Sequence, residues 1–463
     1  MKSSYAQRSP PSSPAHARRS RPTSAPASST TATQGQPEQS APGLGSAPAL
    51  KPPAGALLPE ALRADFPILQ RQIEGRPLIY LDSAATAQKP RAVIEAIAAH
   101  LSERNANVHR GLYPLAREAD AAYESARAAI ARFMGAPAQG TVFTKNVTEA
   151  INLVAYAWGR QQLRRGEVIL TTQMEHHANI VPWQELCRER QAQLRFLAVD
   201  SEGQIDLAQL RAELEGHAVR LVACAHISNV LGTINPVAQI VEIAHQAGAL
   251  VLIDGAQAAA QLPVDVGALG SDFYAWTGHK VLGPTGIGVL HADPALLESM
   301  GPFLTGGDMI ASVQEQCSTW NEVPYKFEAG TPPIAEAVGL AAAVAYLQDI
   351  SMEAVRSHDE RLSAHLLARL AEVPGLRIFG PRLPQARGAL VSFAIDGVHP
   401  HDIAEIAGGE GICIRAGHHC AQPLMRRLGV PATARASLAL YNRPEEIDAL
   451  AAALLRARQI FAD

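Results

Sequence analysis

Three short runs, Val168–Thr171, Arg220–Ala225 and Ala249–Ile253, are almost wholly apolar, and longer helical patterns separate them. Strands of that kind belong in a sheet covered on both faces, and a helix such as Val237–Gln246 between two of them is the crossover that joins parallel neighbours. The expected fold class is therefore α/β with a mostly parallel sheet.

A chain of 463 residues is long for one core. Beyond about Leu340 come an Ala-rich helix to about Leu347, an amphipathic stretch near Ser357–Ala371, the strand-like Ala389–Ile395 and a closing helix over Pro444–Gln459. These predict a second, smaller α+β domain. The expected division is a large domain over residues 80–345, a small one over 346–463, and a segment 57–79 joining the small domain. Residues 1–56 are low in complexity: Ser, Pro, Ala, Thr and Gln with Arg8, Arg18, Arg19 and Arg21, and up to Pro53 the single acid Glu38. Such a segment buries too little apolar surface to offset its ordering entropy, so it is expected to be a disordered extension. An organelle transit peptide, also Arg-rich and acid-poor, is the alternative.

Lys and Arg (40) nearly balance Asp and Glu (44), which gives no global field for nucleic acid or an anionic membrane. No stretch approaches the roughly 18 apolar residues of a membrane span. The five cysteines, Cys187, Cys224, Cys317, Cys413 and Cys420, form no C-x-x-C pair, which argues for a reducing cytoplasm and against a metal site.

The chemistry gathers at strand ends. In Val251–Gln257 an apolar strand ends in Asp254 and then small residues, and ligands of open parallel sheets sit at that end. The bland reading of Asp254 is a helix cap. A later strand-like run reaches Thr277-Gly278-His279-Lys280, followed by Gly283, Gly286 and Gly288. A lysine among glycines and apolar strands is a poor surface lysine and a good Schiff-base former. An acid for a ring nitrogen and an amine for an aldehyde together suit pyridoxal 5'-phosphate. Asn146–Asn152 reads as a turn, a capping hydroxyl on Thr148 and a helix start that could meet the phosphate.

His176 and His177 follow the strand Val168–Thr171, where a ring could stack on a flat cofactor, although a lone strand-end histidine is more often structural. Cys420 lies in a loop bounded by Gly417 and Pro423, beside Arg415, His418 and His419, whose charge favours the reactive thiolate. Buried small-hydrophobe roles suit Cys187, Cys224 and Cys413. Arg435, just before the strand-like Leu438–Tyr441, could clamp a carboxylate through paired N–H groups.

With these residues in place the chain resembles the SufS-type (group II) cysteine desulfurases, within the class V aminotransferase-like pyridoxal-phosphate enzymes of transferase fold type I. The motifs are Tyr80–Ala85, Val108–Gly111, Glu175–Asn179, His226–Gly232, Asp254–Gln257, Gly278–Lys280 and Arg415–Cys420, and the likeness runs from about Phe66 to the C-terminus. The resemblance implies that Lys280 carries the cofactor, Asp254 pairs with its ring nitrogen, His176 stacks on the ring and Gln257 contacts its phenolic oxygen. It places Thr148, Thr277 and His279 on the phosphate, and Thr331 on the phosphate of the neighbouring subunit in a homodimer. Asn229, Arg435, Arg415 and His109 would surround the substrate, and Cys420 would accept its sulfur. Val147 and Pro333 depart from the family pattern, lacking a hydroxyl and an asparagine that relatives often carry. The implied reaction converts L-cysteine to L-alanine, leaves a persulfide on Cys420 and passes the sulfur to a SufE- or SufU-like acceptor for iron–sulfur cluster assembly. The rival readings are a selenocysteine lyase, with L-selenocysteine as substrate, or a cysteine-sulfinate desulfinase on the same scaffold, a kynureninase-like lyase, and a non-catalytic scaffold.

Overall fold

In the computed structural model, which describes Leu58, residues 60–200 and 202–461, the three apolar runs Val168–Thr171, Arg220–Ala225 and Ala249–Ile253 fall on strands. The expectation of a disordered extension over residues 1–56 lies outside the described residues. The large sheet has seven strands: β1 (Thr141–Thr144), β2 (Val168–Thr172), β3 (Gln193–Leu197), β4 (Val219–Ala225), β5 (Leu250–Asp254), β6 (Phe273–Thr277) and β7 (Gly288–Ala292), in the order β1-β7-β6-β5-β4-β2-β3. Strands β3, β2, β4, β5 and β6 run parallel, and β7 is antiparallel to both β6 and β1.

Period-two alternation explains why these strands are apolar throughout. Val168, Leu170, Val251, Ile253, Tyr274 and Trp276 enter one hydrophobic core, while Ile169, Leu252, Phe273 and Ala275 enter another. The first core also receives α6 (Ile334–Ile350). Of the other helices named here, α1 (Arg91–Glu103), α2 (Pro114–Phe133), α3 (Val147–Leu153), α4 (Val181–Arg190), α5 (Val237–Gln246) and α7 (Met352–Ala371), α5 is the crossover from β4 to β5.

A second sheet is antiparallel, β8 (Leu376–Phe379), β9 (Leu390–Ile395), β10 (Arg415–Gly417) and β11 (Thr433–Ser437), ordered β8-β9-β11-β10. It has its own core with Leu362, Leu366, Phe393 and Leu450, covered by α7 and by the last helix, α9 (Pro444–Ile460); the short α8 (Gln422–Leu428) follows the Cys420 loop. Ile79–Tyr80 pairs in parallel with Ile412–Cys413, which carries the early segment across to this side.

Three local readings need correction. The cap of α3 is the Asn146 carboxamide, which accepts from the Glu149 N–H at 3.0 Å, so the Thr148 hydroxyl is exposed and free of capping duty. Arg435 lies inside a strand, and the apolar Leu438–Tyr441 lies just past its end. Cys413 is half-buried, whereas Cys187 and Cys224 are buried as expected.

Candidate active site

The parallel strands β2, β4, β5 and β6 end on one edge of the large sheet, and the segments following them carry the chemistry. Asp254 is the last residue of β5 and is 5% exposed. One of its oxygens accepts from the Ala256 N–H at 2.9 Å, and no other donor among the described residues reaches the carboxyl. Burial raises its pKa, with the backbone bond and Lys280 opposing. A Cβ at Gly255 would overlap the Tyr274 ring, so a side chain after Asp254 is excluded by close approach of β6.

Lys280 ends the one-turn helix that follows β6. The residue is half-buried, opening onto the cleft, but its amine lies deep enough that desolvation pulls its pKa to about 8, with Asp254 opposing and Arg435 adding to the fall. No hydrogen-bond partner among the described residues is present for that amine. The Thr277 hydroxyl at the end of β6 is likewise buried and unpaired.

His176 is held by its own backbone: its Nδ1 accepts from the Ala178 N–H at 3.0 Å. Burial pulls its pKa to about 3, with Lys280 the next cause, so the ring is neutral. The residue lines a cavity of about 360 Å³ that Thr148 also lines. Gln257 is buried, with its amide on the Ala84 carbonyl at 2.9 Å. His279 is brought down to about 4, chiefly by burial.

The small sheet supplies the opposite wall. Arg435 in β11 is 2% exposed; it donates to the Asn229 carbonyl at 2.9 Å and to Asp82 at 3.2 Å. Arg415 in β10 is exposed and holds both oxygens of Asp82. Cys420 is exposed, and its backbone and that of His419 are left-handed at φ 55° and 51°. Such backbone is strained by about 1–2 kcal/mol per residue and persists only where neighbours fix it. Here they do: Asn229 donates to the His419 carbonyl at 2.8 Å, the His177 N–H to the Cys420 carbonyl at 2.7 Å, and the Gln422 N–H to the His177 ring at 3.2 Å. The charges of Cys420, Arg415 and Arg435 all bear on Lys280.

The residues thus fit pyridoxal phosphate: a desolvated amine without a partner, a buried carboxylate with an oxygen to spare, an unpaired hydroxyl and a neutral ring stand at one strand edge. Two expected residues stay apart within a single chain. The His109 ring faces Asp120 at 3.3 Å and packs on Tyr123 and Tyr325, and Thr331 lines another cavity with Lys145 and Glu328. Among the described residues no group of His, Cys, Asp and Glu could hold a metal, and no single helix is long and apolar enough to cross a membrane.

The family model for class-V aminotransferases matches residues 79–450. The chain belongs to the class-V aminotransferase family. It is 46% identical over 417 residues to a cysteine desulfurase of Haloferax volcanii and 50% identical over 405 residues to a probable cysteine desulfurase of Halobacterium salinarum, each match covering 87% of this chain and 97% of the relative. A solved cysteine desulfurase of Thermococcus onnurineus NA1 aligns with a TM-score of 0.82 at 38% identity, covering 86% of this chain and 97% of that one. One from Escherichia coli, solved in an S-sulfonic acid form, aligns at 0.81 and 39%, covering 88% and 100%. The class-V match contains every site residue named above, and the α/β fold is the one expected.

Two residues that shape this class-V site went unread in the sequence: Asp82 ties two arginines together, and Glu175, fully buried, accepts from Thr172, Asn179 and the Ala225 N–H while burial raises it to about 7. His177, weighed with His176 as a ring that could stack on a cofactor, instead clasps the Cys420 loop. Each lies within a quoted motif, which was the only available signal.

Proposed function

We propose that this protein is a pyridoxal-phosphate-dependent cysteine desulfurase that converts L-cysteine to L-alanine and leaves a persulfide on Cys420. The observation that carries the reading is the facing of two groups: the desolvated Lys280 amine beside Asp254, and the exposed Cys420 thiol beside Arg435. When bound, the cofactor supplies an electron-poor ring and an aldehyde.

Around it the residues divide the labour. Lys280 is the residue that would hold the cofactor through its aldehyde, and its Nζ would take the substrate's α-proton; a pKa near 8 leaves roughly a tenth of such an amine neutral at pH 7. Asp254 would pair with the ring nitrogen and hold a proton there, and the neutral His176 ring would stack on the cofactor. Gln257 would contact the phenolic oxygen, and Thr148, Thr277 and His279 would hold the phosphate. Arg435, Asn229 and Arg415 orient the carboxylate, which points the substrate sulfur toward Cys420. The Cys420 thiolate attacks that sulfur, a new S–S bond forms, the C–S bond breaks, and the carbon skeleton leaves as alanine after protonation.

Thr331 would reach the phosphate of a neighbouring subunit, and His109 would reach substrate by the same arrangement. A homodimer is supported by apolar side chains left in solvent just after His109 in the chain, with Leu112 89% and Tyr113 53% exposed. On this reading residues 80–345 hold the cofactor and 346–463, joined by 57–79, carry Cys420. The persulfide then passes to a SufE- or SufU-like protein for iron–sulfur cluster assembly in the cytoplasm.

The test is direct: purified protein with L-cysteine should release alanine and one equivalent of protein-bound persulfide per site without a reductant. Release of alanine from selenocysteine or cysteine sulfinate but not from cysteine would overturn the desulfurase reading.

A further inference from the structure

The carboxylate-binding arginine already holds a carboxylate. Asp82 is fixed by its neighbours on β11: the Ser437 N–H donates to the Leu81 carbonyl at 2.8 Å and the Ser83 N–H to the Ser437 carbonyl at 3.3 Å. This backbone pairing aims the Asp82 side chain at Arg435, two residues back along the same strand.

The donors of Arg435 are unevenly used. Nη1 is taken by the Asn229 carbonyl, and Nη2 by Asp82 at 3.2 Å. Nε is buried and has no partner. The Nε–Nη2 edge, whose two N–H bonds run parallel and suit a carboxylate, is thus half filled by a single contact from Asp82. A substrate carboxylate that takes both positions must remove Asp82 from Nη2.

Arg415 makes that exchange feasible. Its Nε lies 3.2 Å from each Asp82 oxygen and its Nη2 lies 2.9 Å from Oδ2, so Asp82 keeps a partner when it lets go of Arg435. The charge balance agrees. Arg415 and Arg435 share the one carboxylate of Asp82, which leaves an excess positive charge for one incoming anion. Without Asp82 the buried Arg435 would lose its ion-pair partner and keep only the influence of the exposed Cys420, a costly state that any small anion could relieve.

We infer that Asp82 is a specificity residue: it occupies Arg435 in the resting enzyme as a stand-in carboxylate, excludes small anions, and yields the guanidinium edge to the substrate's α-carboxylate. The inference rests on the proposed desulfurase reading. Its consequence is that Asp82 weakens carboxylate binding and does not assist it.

The experiment uses holoenzyme and propionate, a carboxylate with neither amine nor thiol, followed by calorimetry. In Asp82→Asn the propionate Kd should fall about tenfold, the scale of one charge-assisted hydrogen bond, and chloride should become a stronger competitor. The KM for L-cysteine should fall with kcat unchanged or lower. Affinity for cysteamine, which lacks the carboxylate, should stay as in wild type, whereas a general loosening of the site would move both ligands. Asp82→Glu, which keeps the charge, should bind propionate no more tightly than wild type. If Asp82→Asn does not fold, Asp82→Ser is read in the same way. A propionate Kd that rises or stays constant in the uncharged variant overturns the inference, because Asp82 would then only orient Arg435. Absence of cysteine turnover in wild type would instead sink the desulfurase reading and leave the propionate result standing.

Discussion

The two walls of the cleft are built on opposite plans. On the large-sheet side, Asp254 and Thr277 are the buried last residues of their strands and Lys280 follows within one turn, so their positions are set by the sheet itself. On the small-sheet side, Cys420 sits exposed on a loop with consecutive left-handed residues, fixed by contacts that cross from Asn229 and His177. The first plan gives a desolvated, preorganised place for proton transfer. On the proposed reading, the second presents a thiol that would meet the substrate inside and an acceptor outside. The difference predicts that damage to the first wall stops all chemistry, while damage to the second stops only the sulfur step.

The largest effect should follow Lys280→Ala. Alanine release should fall beyond the roughly 10²- to 10⁴-fold of a single acid–base group, and borohydride should no longer fix cofactor to the chain. Covalent fixation in that variant would place the lysine elsewhere. The same wall can be sharpened with pH. Because burial holds the Lys280 amine near 8, below the usual lysine value, and only the neutral amine reacts with an aldehyde, capture of pyridoxal phosphate by cofactor-free protein should rise about tenfold per pH unit and flatten above pH 8. A rate still climbing at pH 10 would mean an ordinary, solvated lysine.

Cys420→Ala should separate the walls. Exchange of the substrate α-proton with deuterated solvent should persist, since Lys280 and Asp254 are untouched, while alanine formation from cysteine collapses. Selenocysteine, whose C–Se bond is weaker, should still be processed. Substantial cysteine turnover in the variant would end the assignment of Cys420 as sulfur acceptor. Next in size, Arg435→Lys replaces a two-point clamp by a point charge, and kcat/KM should drop about 10- to 150-fold, the worth of one charge-assisted pair. Wild-type kinetics would put the carboxylate elsewhere.

The sequence made the first wall legible and left much of the second hidden, for a physical reason. Asp254 and Lys280 are close in sequence to the strands that place them, so an apolar run ending in an acid or a glycine-framed lysine already implies position. Arg435 was readable as a clamp but not as a strand residue, because the partners of its buried guanidinium in β11, the Asn229 carbonyl and Asp82, lie far away in the chain, Asp82 by 353 positions. Leu438–Tyr441 looked like a strand since its side chains are apolar, yet Leu440 and Tyr441 are buried in the main core without pairing in a sheet. The capping carboxamide of Asn146 outcompeted the Thr148 hydroxyl at the start of α3, where either type is acceptable. Glu175 joins its neighbours Thr172 and Asn179 to the distant Ala225 N–H, His177 acts on the Cys420 loop, and no periodicity announces either role.

The smallest effect, and the finest probe of the contrast, belongs to His177. Its backbone N–H holds the Cys420 carbonyl, its ring accepts from the Gln422 N–H, and the ring packs against His418 at 5.8 Å between centroids. His177→Ala removes the ring and keeps the backbone bond. One partly exposed hydrogen bond is worth about 0.5–1.5 kcal/mol, so the strained loop should loosen and alanine formation should slow by roughly 2- to 10-fold. The effect should be confined to the sulfur step: α-proton exchange, measured as deuterium incorporation, should match wild type, because His177 touches none of Lys280, Asp254 or Thr277 in any recorded hydrogen bond. Equal losses in both rates would mean that His177 supports the neighbouring His176 and thereby the first wall, and the separation between the two walls would fail at that point.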